Sequence, residues 1–170
     1  MQKLTFVGVG SNIEPESHVV EALVRLRRCV QVKETSTFYW TTPIGKGGRF
    51  LNGVWRITTD LSARELKTTV LRWIESELGR VRSVDRYAPR TIDLDILLYG
   101  DLVINEPNLR LPDPDIRTRP FIAVPLLELS PDLVLPDTGE RLADLPVLQE
   151  AGSLGIAAEA TAALRAALNS

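Results

Sequence analysis

Hydrophobic and polar positions in the first part of the chain alternate between strand-like and helix-like spacing. A short apolar run from Leu4 to Val9, followed by a Gly/Asn turn, predicts a buried first strand. Apolar residues then recur every three or four positions over 16–30, which predicts an amphipathic helix. The β-branched and aromatic segments 32–41 and 50–59 predict two more strands, separated by a Gly- and Pro-rich loop over 42–49.

A second helix and a fourth strand follow. Residues 62–65 match a capping box, and an apolar helix face then continues until Gly79 ends it. Residues 91–99 alternate as a strand does. Its two predicted faces are Ile92, Leu94, Ile96 and Leu98 against Asp93, Asp95, Leu97 and Tyr99. The order β-α-β-β-α-β predicts an α+β, ferredoxin-like fold, an antiparallel sheet with helices on one face.

The chain beyond Gly100 is rich in proline, so we expect loops and short elements added to this core. One short helix is predicted over 123–129. The Ala-rich C-terminus has loosely periodic apolar residues and predicts a terminal helix. We therefore expect one domain over 1–150 and a helical C-terminal tail over 151–170.

Composition narrows the class of protein. The chain has 170 residues, of which 44% are hydrophobic, and a net charge of -2. These values fit one globular domain and argue against a disordered chain or a diffuse polyanion binder. No apolar run approaches the ~20 residues of a membrane span, and the apolar stretch near residue 4 is too short for the apolar region of a secretory signal. We expect a cytoplasmic monomer or weak dimer with no nucleic-acid or membrane partner.

The lone cysteine and the lone histidine offer little chemistry. Cys29 falls at an apolar position of the first predicted helix, so we expect it to be buried. His18 has no His or Cys companion, which argues against a metal or nucleophilic role.

The sharpest chemical feature is the pair Asp93 and Asp95. Residues two apart in a strand point to the same side with Cα atoms about 6.6 Å apart, so both carboxylates face one small volume. An oxygen-only pair of this kind suits Mg²⁺, which completes its coordination with water and phosphate oxygens. The alternative is an exposed strand edge with two unremarkable aspartates.

An arginine-rich loop directly precedes that strand. Residues 79–90 contain four arginines and one aspartate. Arginine grips phosphate oxygens through two parallel hydrogen bonds, and a metal with arginines is the usual equipment of phosphoryl transfer. Surface ion pairs are the alternative, but the adjacent aspartate pair favours a phosphate site.

Two other motifs are candidate binding sites for the parts of a substrate other than its phosphates. The GVGSN segment at 8–12 satisfies neither the dinucleotide nor the P-loop pattern and indicates a structural turn. Phe50 and Asn52 lie on the same side of the third predicted strand, and Phe121 offers a second ring. Two rings around a flat heterocycle, with an amide contacting its edge, would make a recognition site. Each Phe could instead be a core residue.

These residues together resemble the 6-hydroxymethyl-7,8-dihydropterin pyrophosphokinase family of folate biosynthesis. The most distinctive stretches are GRVR at 79–82 and RTIDLD at 90–95. Supporting stretches are GVGSN at 8–12, TTPIG at 41–45, FLN at 50–52 and RPF at 119–121. They occur in the family's order over residues 4–145.

The resemblance implies a ferredoxin-like fold and transfer of pyrophosphate from ATP to the pterin hydroxymethyl group, with release of AMP. Asp93 and Asp95 would hold two Mg²⁺ ions and, with Arg80, Arg82 and Arg90, form the catalytic set. Residues expected to bind ATP are Glu75, Arg80, Arg82, Arg90, Ile96, Arg110 and Arg119. Residues expected to bind the pterin are Thr41, Thr42, Pro43, Ile44, Phe50, Asn52 and Phe121.

One position departs from the family pattern. The family commonly has Pro-His-Pro where this chain has PDP at 112–114, and its His contacts ATP. A carboxylate would repel a triphosphate, so we expect Asp113 not to be a ligand. Two other hypotheses stay open, namely a paralogue with an altered substrate and a ferredoxin-like RNA-binding module. The second lacks the basicity and RNP-type aromatics it would need.

Overall fold

The computed structural model describes residues 1–42, 47–81, 84 and 88–170. Its strands are β1 (Lys3–Ser11), β2 (Gln31–Thr35), β3 (Tyr39–Thr41), β4 (Phe50–Thr59), β5 (Asp93–Tyr99), β6 (Ile104–Glu106), β7 (Leu109–Leu111) and β8 (Gly155–Ile156). Its helices are α1 (Pro15–Arg27), α2 (Ala63–Glu65), α3 (Arg72–Glu77), α4 (Pro120–Leu129) and α5 (Ala158–Leu168). A π-helical segment, Leu66–Leu71, joins α2 to α3, and 3-10 segments lie at Pro114–Arg117, Leu142–Asp144 and Pro146–Ser153.

The main sheet is antiparallel, and β1 lies between the edge strand β5 and β4. The other edge of β4 pairs with β2 along one half and with β3 along the other half. The short strand β8 adds to the outer edge of β3. This arrangement confirms the predicted ferredoxin-like α+β fold, in which β2 and β3 together occupy one strand position.

The two faces of the sheet are covered differently. Helices α1 and α5 and the segment from α2 to α3 bury one face, and this core includes Val7, Trp55 and Leu94. On the opposite face a smaller apolar cluster packs under α4, with Phe6 and Val54 in it. That cluster covers only part of its face, and the cavity described below lies beside it.

The second helix begins as its capping box predicts. The Ser62 hydroxyl accepts a hydrogen bond from the Glu65 amide at 3.1 Å, and the Glu65 carboxylate accepts one from the Ser62 amide at 3.2 Å. The short helix predicted over 123–129 is α4, which begins earlier because Pro120 suits a first helical turn. Within the described ranges, no helix is long and apolar enough to cross a membrane.

The sequence interpretation was wrong at two points near the start of the chain. Strand β1 continues through Ser11, so the glycines expected in a turn lie inside a strand that is paired on both sides. Cys29 was expected to be buried, but α1 ends at Arg27 and the cysteine is exposed beyond it. In each case an element ended at a different place than the local pattern indicated.

The predicted faces of the fourth strand also need a correction. Phe6 lies opposite Leu98 and Val7 lies opposite Ile96, so Leu97 is an extra residue in the pairing of β1 with β5. This bulge breaks the alternation. As a result Leu98 joins Leu97 in the cluster under α4, and Tyr99 packs in the core on the other face of the sheet.

Candidate active site

A cavity of about 670 Å³ lies on the face of the sheet that α4 leaves partly open. One end, the aromatic end, is lined by Thr41, Phe50, Asn52 and Phe121. The other, the acidic end, is lined by Arg90, Asp93 and Asp95. Because β1 separates β4 from β5, the two ends lie two strand spacings apart, about 10 Å.

The floor between the two ends is made by glycines of β1. Gly10 lies opposite Asp93 on one side and Asn52 on the other, and Gly8 lies opposite Asp95. A Cβ atom on Gly10 would come within 2.9 Å of the Asn52 Oδ1 atom. Glycine at these positions therefore leaves space in the cavity that a side chain would fill. The motif at 8–12 did not reveal this role.

Hydrogen bonding organises the aromatic end in advance. The Asn52 side chain is only 5% exposed, and its Nδ2 atom donates to the Thr41 hydroxyl at 2.8 Å. This contact joins β4 to β3 and sets the direction of the amide. Thr42 lines the same cavity. Pro43 and Ile44, also predicted to bind the pterin, lie outside the described residues.

At the acidic end, Asp93 is held by two arginines. Arg80 Nη1 lies 2.9 Å from Asp93 Oδ1, and Arg90 Nη1 lies 2.6 Å from Asp93 Oδ2. Arg80 lies in the arginine-rich segment, and its side chain contacts β5, the strand that carries the aspartate pair. Arg82 lies outside the described residues.

Glu75 anchors this arrangement from behind. Its carboxylate is buried, accepts a hydrogen bond from the Leu94 amide at 2.9 Å and pairs with Arg80 at 2.6 Å. It lines neither the main cavity nor a smaller cavity that adjoins Asp95. A contact between Glu75 and the nucleotide stays a prediction, whereas its links to Arg80 and to the backbone of β5 are part of the structure.

The electrostatics of the acidic end favour a cation. Asp95 is exposed in the cleft, but the surrounding protein buries part of its carboxylate. That burial, reinforced by the negative charges of Asp93, Asp113 and Glu75, raises the pKa of Asp95 well above its ordinary value, although Arg80 opposes the shift. For Arg80, burial alone would lower the pKa, but Asp93, Glu75 and Asp95 outweigh it and raise the pKa.

A second cavity of about 220 Å³ adjoins Asp95. Two residues expected to bind ATP, Ile96 and Arg110, line it together with Lys67 and Asp113. Asp95 lines both cavities, so the acidic end is where they meet. Burial raises the pKa of Asp113 to about 6, although the Asp115 amide donates to its carboxylate at 2.8 Å.

The donor set at the acidic end fits magnesium. Among the residues that the structure describes, no three His, Cys, Asp or Glu side chains form a metal-binding group. Asp93 and Asp95 would therefore supply two carboxylates and leave the remaining positions to water and substrate phosphates. Mg²⁺ is commonly held in this way, and the raised pKa of Asp95 marks a carboxylate that a nearby cation would stabilise in its charged form.

The cavity also contains residues that the sequence did not indicate. Arg119 was predicted and lines it, but so do Asp115 of the neighbouring 3-10 segment and Thr118 directly after that segment. Ser153 and Leu154, from the tail expected only to be helical, line it too. No local pattern marks these positions, since they reach the cavity only through packing of distant segments.

The sequence model of the 7,8-dihydro-6-hydroxymethylpterin-pyrophosphokinase family matches residues 6–131. The chain belongs to this family. The 2-amino-4-hydroxy-6-hydroxymethyldihydropteridine pyrophosphokinase of Pseudomonas aeruginosa is 39% identical to it over 150 residues, which are 85% of this chain and 91% of the relative. The Haemophilus influenzae enzyme of the same name is 38% identical over 138 residues, 78% of this chain and 85% of that one.

A solved structure of this family agrees with the fold. The crystallised HPPK-DHPS protein of Plasmodium falciparum superposes with a TM-score of 0.67 at 14% identity. The match covers 85% of this chain but only 45% of that longer one, so it bears on the fold alone.

Family membership fixes the reaction and confirms the resemblance drawn from the motifs. The family transfers pyrophosphate from ATP to the hydroxymethyl group of 6-hydroxymethyl-7,8-dihydropterin in folate biosynthesis. The chain is accordingly an ATP diphosphotransferase, with ATP as its cosubstrate.

Proposed function

We propose that the pyrophosphokinase reaction of this chain takes place in the main cavity, with the pterin at the aromatic end and the ATP phosphates at the acidic end. The observation that carries the proposal is that one continuous cavity joins Asn52 and two phenylalanines to Asp93 and Asp95. The second cavity, which begins at Asp95, would take the nucleoside part of ATP.

At the aromatic end, Phe50 and Phe121 would lie on the two faces of the pterin ring. The buried Asn52 amide, already oriented by Thr41, would hydrogen-bond the edge of the ring. Thr41 and Thr42, with Pro43 and Ile44 by family resemblance, would complete this contact. A preformed site of this kind places the hydroxymethyl group without loss of further side-chain entropy.

At the acidic end, Asp93 and Asp95 would bind two Mg²⁺ ions. When bound, these ions would neutralise the phosphate oxygens and the charge that develops during transfer. Arg80 and Arg90 already lie against Asp93, and we propose that they contact phosphate oxygens when ATP is present, together with Arg82, Arg110 and Arg119.

The transfer itself needs alignment more than acid–base chemistry. The pterin hydroxyl oxygen forms a bond to the β-phosphorus, the bond from that phosphorus to the oxygen shared with the α-phosphate breaks, and AMP leaves with that electron pair. The hydroxyl proton passes to water. Arginines at the acidic end stabilise the negative charge that moves onto the phosphate oxygens, and positioning supplies much of the acceleration.

We also propose that residues 1–150 form the pyrophosphokinase domain, with the tail over 151–170 packed against it and contributing to the cavity, and that the protein acts in the cytoplasm as a monomer or weak dimer.

Release of AMP from ATP in the presence of Mg²⁺ and 6-hydroxymethyl-7,8-dihydropterin tests the placement of the site. We expect AMP with the wild type only when the pterin is present, and a pterin affinity that falls in Asn52→Leu while ATP affinity is retained. Equal pterin affinity in that variant would refute the assigned aromatic end. An electrophoretic shift of single-stranded RNA would instead favour the binding-module hypothesis.

A further inference from the structure

The C-terminal tail is attached to the strand that carries part of the aromatic end. The family match ends at residue 131, yet Leu154 lines the main cavity and β8 pairs with β3. In that pairing Tyr39 lies opposite Ile156 and Trp40 lies opposite Gly155. The tail therefore borders β3 immediately before Thr41.

Strand β4 holds the chain between β2 and β3 only in part, through Ser36, whose amide donates to the Val54 carbonyl at 2.9 Å. Thr35 pairs with Trp55 and Tyr39 pairs with Asn52, so residues 36–38 lie opposite only Gly53 and Val54. Such a bulge leaves backbone groups that the neighbouring strand cannot satisfy.

Side chains and backbone from two helical regions supply the missing partners. The Thr161 hydroxyl of α5 accepts a hydrogen bond from the Phe38 amide at 2.9 Å, and the Ala157 amide donates to the Phe38 carbonyl at 2.9 Å. Glu128 of α4 accepts from the Thr37 amide at 3.0 Å. Thr161 is only 4% exposed, so a lost partner there would not be replaced by bulk water.

Packing leaves Phe38 little freedom to move. Its side chain is fully buried, and a Cβ atom on Gly53 would lie 2.3 Å from its ring, so the ring rests directly on the backbone of β4. Gly53 is the residue next to Asn52. A shift of Phe38 would therefore move β3 relative to β4 at the hydrogen bond between Asn52 and Thr41.

We propose that Thr161 is a positioning residue for pterin binding. By holding the Phe38 backbone it fixes β3, and through β3 it fixes Thr41 against Asn52 at the aromatic end. This inference rests on the proposed placement of the pterin at that end. The nucleotide side is not attached to the tail in this way, because Asp93 and Asp95 lie on β5 at the opposite edge of the sheet.

Thr161→Val tests the proposal, since it keeps the shape but removes the acceptor. We expect the KM for the pterin to rise roughly fivefold or more, with the KM for ATP unchanged within about twofold. Thr161→Ser should restore the wild-type KM. Backbone amide exchange at residues 38–41 should become faster in the Val variant and return to normal in the Ser variant.

Thr69→Val is the matched control. Thr69 is exposed, and its hydroxyl donates to the carbonyl four residues earlier at 2.6 Å, as that of Thr161 does at 2.8 Å. We expect no change in either KM. Should Thr161→Val fail to fold, Glu128→Gln loosens the same segment from an exposed position and should give a smaller rise in pterin KM alone.

The outcomes separate the two proposals. An unchanged pterin KM in a folded Thr161→Val protein, or equal rises in both KM values, overturns the positioning role. A wild type that releases AMP but whose pterin affinity is insensitive to Asn52→Leu refutes the placement of the pterin instead.

Discussion

The two ends of the main cavity are prepared for their substrates in different ways. At the aromatic end a neutral hydrogen bond between Asn52 and Thr41 fixes the side chain that would contact the ligand. At the acidic end the charged groups satisfy one another, since Arg80 and Arg90 both pair with Asp93. The first end is preformed, whereas the second holds its charges in contacts that a bound phosphate and metal would replace.

Because of this difference, the ionised form of some carboxylates at the acidic end is disfavoured. Burial disfavours the ionised form of the carboxylates at this end, and neighbouring negative charges add to the effect, so the pKa of Asp95 and that of Asp113 are raised. The aromatic end stores no comparable electrostatic strain. Neutralising Asp95 should therefore lower turnover without lowering stability, whereas substitutions at the aromatic end should chiefly affect pterin affinity.

The largest effect is expected for Asp95→Asn. Loss of a metal ligand should lower kcat by at least about 100-fold. Because the ionised carboxylate is disfavoured in the folded protein, the same change should leave the free energy of unfolding at neutral pH unchanged or higher. Steady-state AMP release and urea unfolding measure the two quantities. The exposed Asp101→Asn serves as a control, and unimpaired turnover in the Asp95 variant would rule out the assigned metal site.

Removal of Arg80 should reveal how much the internal ion pairs stabilise the apo protein. Arg80→Leu deletes a cation that lies 2.6 Å from the buried Glu75 carboxylate, so we expect a loss of about 3 kcal/mol in the free energy of unfolding. Arg110→Leu, at an exposed arginine, should cost little stability and mainly raise the KM for ATP. Equal unfolding curves for the two variants would show that the pairs at Arg80 contribute no stability.

Gly10→Ala should disturb the aromatic end selectively. The added methyl would lie 2.9 Å from Asn52 Oδ1, so we expect the amide to shift and the KM for the pterin to rise about tenfold. Gly152→Ala meets nothing within 4 Å and is the control. A pterin KM that is the same in both variants would argue that the floor of the cavity does not touch the ligand.

The smallest effect concerns pH and Asp113. With a pKa of about 6 against an ordinary value of 3.8, the folded protein binds this proton more tightly than the unfolded chain. The resulting stabilisation is complete below about pH 4 and is lost as the pH rises through 6. Asp113→Asn should therefore unfold like the wild type at pH 4 but become the more stable of the two as the pH rises through 6. A constant difference between the two proteins across that range would contradict the raised pKa.

Much of the acidic end could be predicted because strand alternation is a local rule. A spacing of two was enough to place Asp93 and Asp95 on one side of β5, and both line the cavity. The same rule failed only three residues later, at Leu98 and Tyr99, because the bulge depends on how β5 pairs with β1. Alternation of side chains is a property of one strand, whereas a bulge depends on how two strands pair.

The floor of the cavity shows a second limit of prediction from the sequence. The glycines at 8 and 10 were interpreted as a turn, since glycine is the usual turn residue. In the structure they lie inside β1, where Asn52 crosses close above Gly10. Only the neighbouring strand reveals why a side chain is unfavourable at that position.

The sequence by itself determined the family, the order of the core elements and the aspartate pair, because each depends on residue types at short and fixed separations. Tertiary structure alone decided that Glu75 is buried behind Arg80, that a second cavity opens at Asp95 and that the tail borders β3. These contacts join residues far apart in the chain. Their energies come from burial and from hydrogen bonds that exist only once the segments meet. No local sequence pattern therefore predicts these contacts.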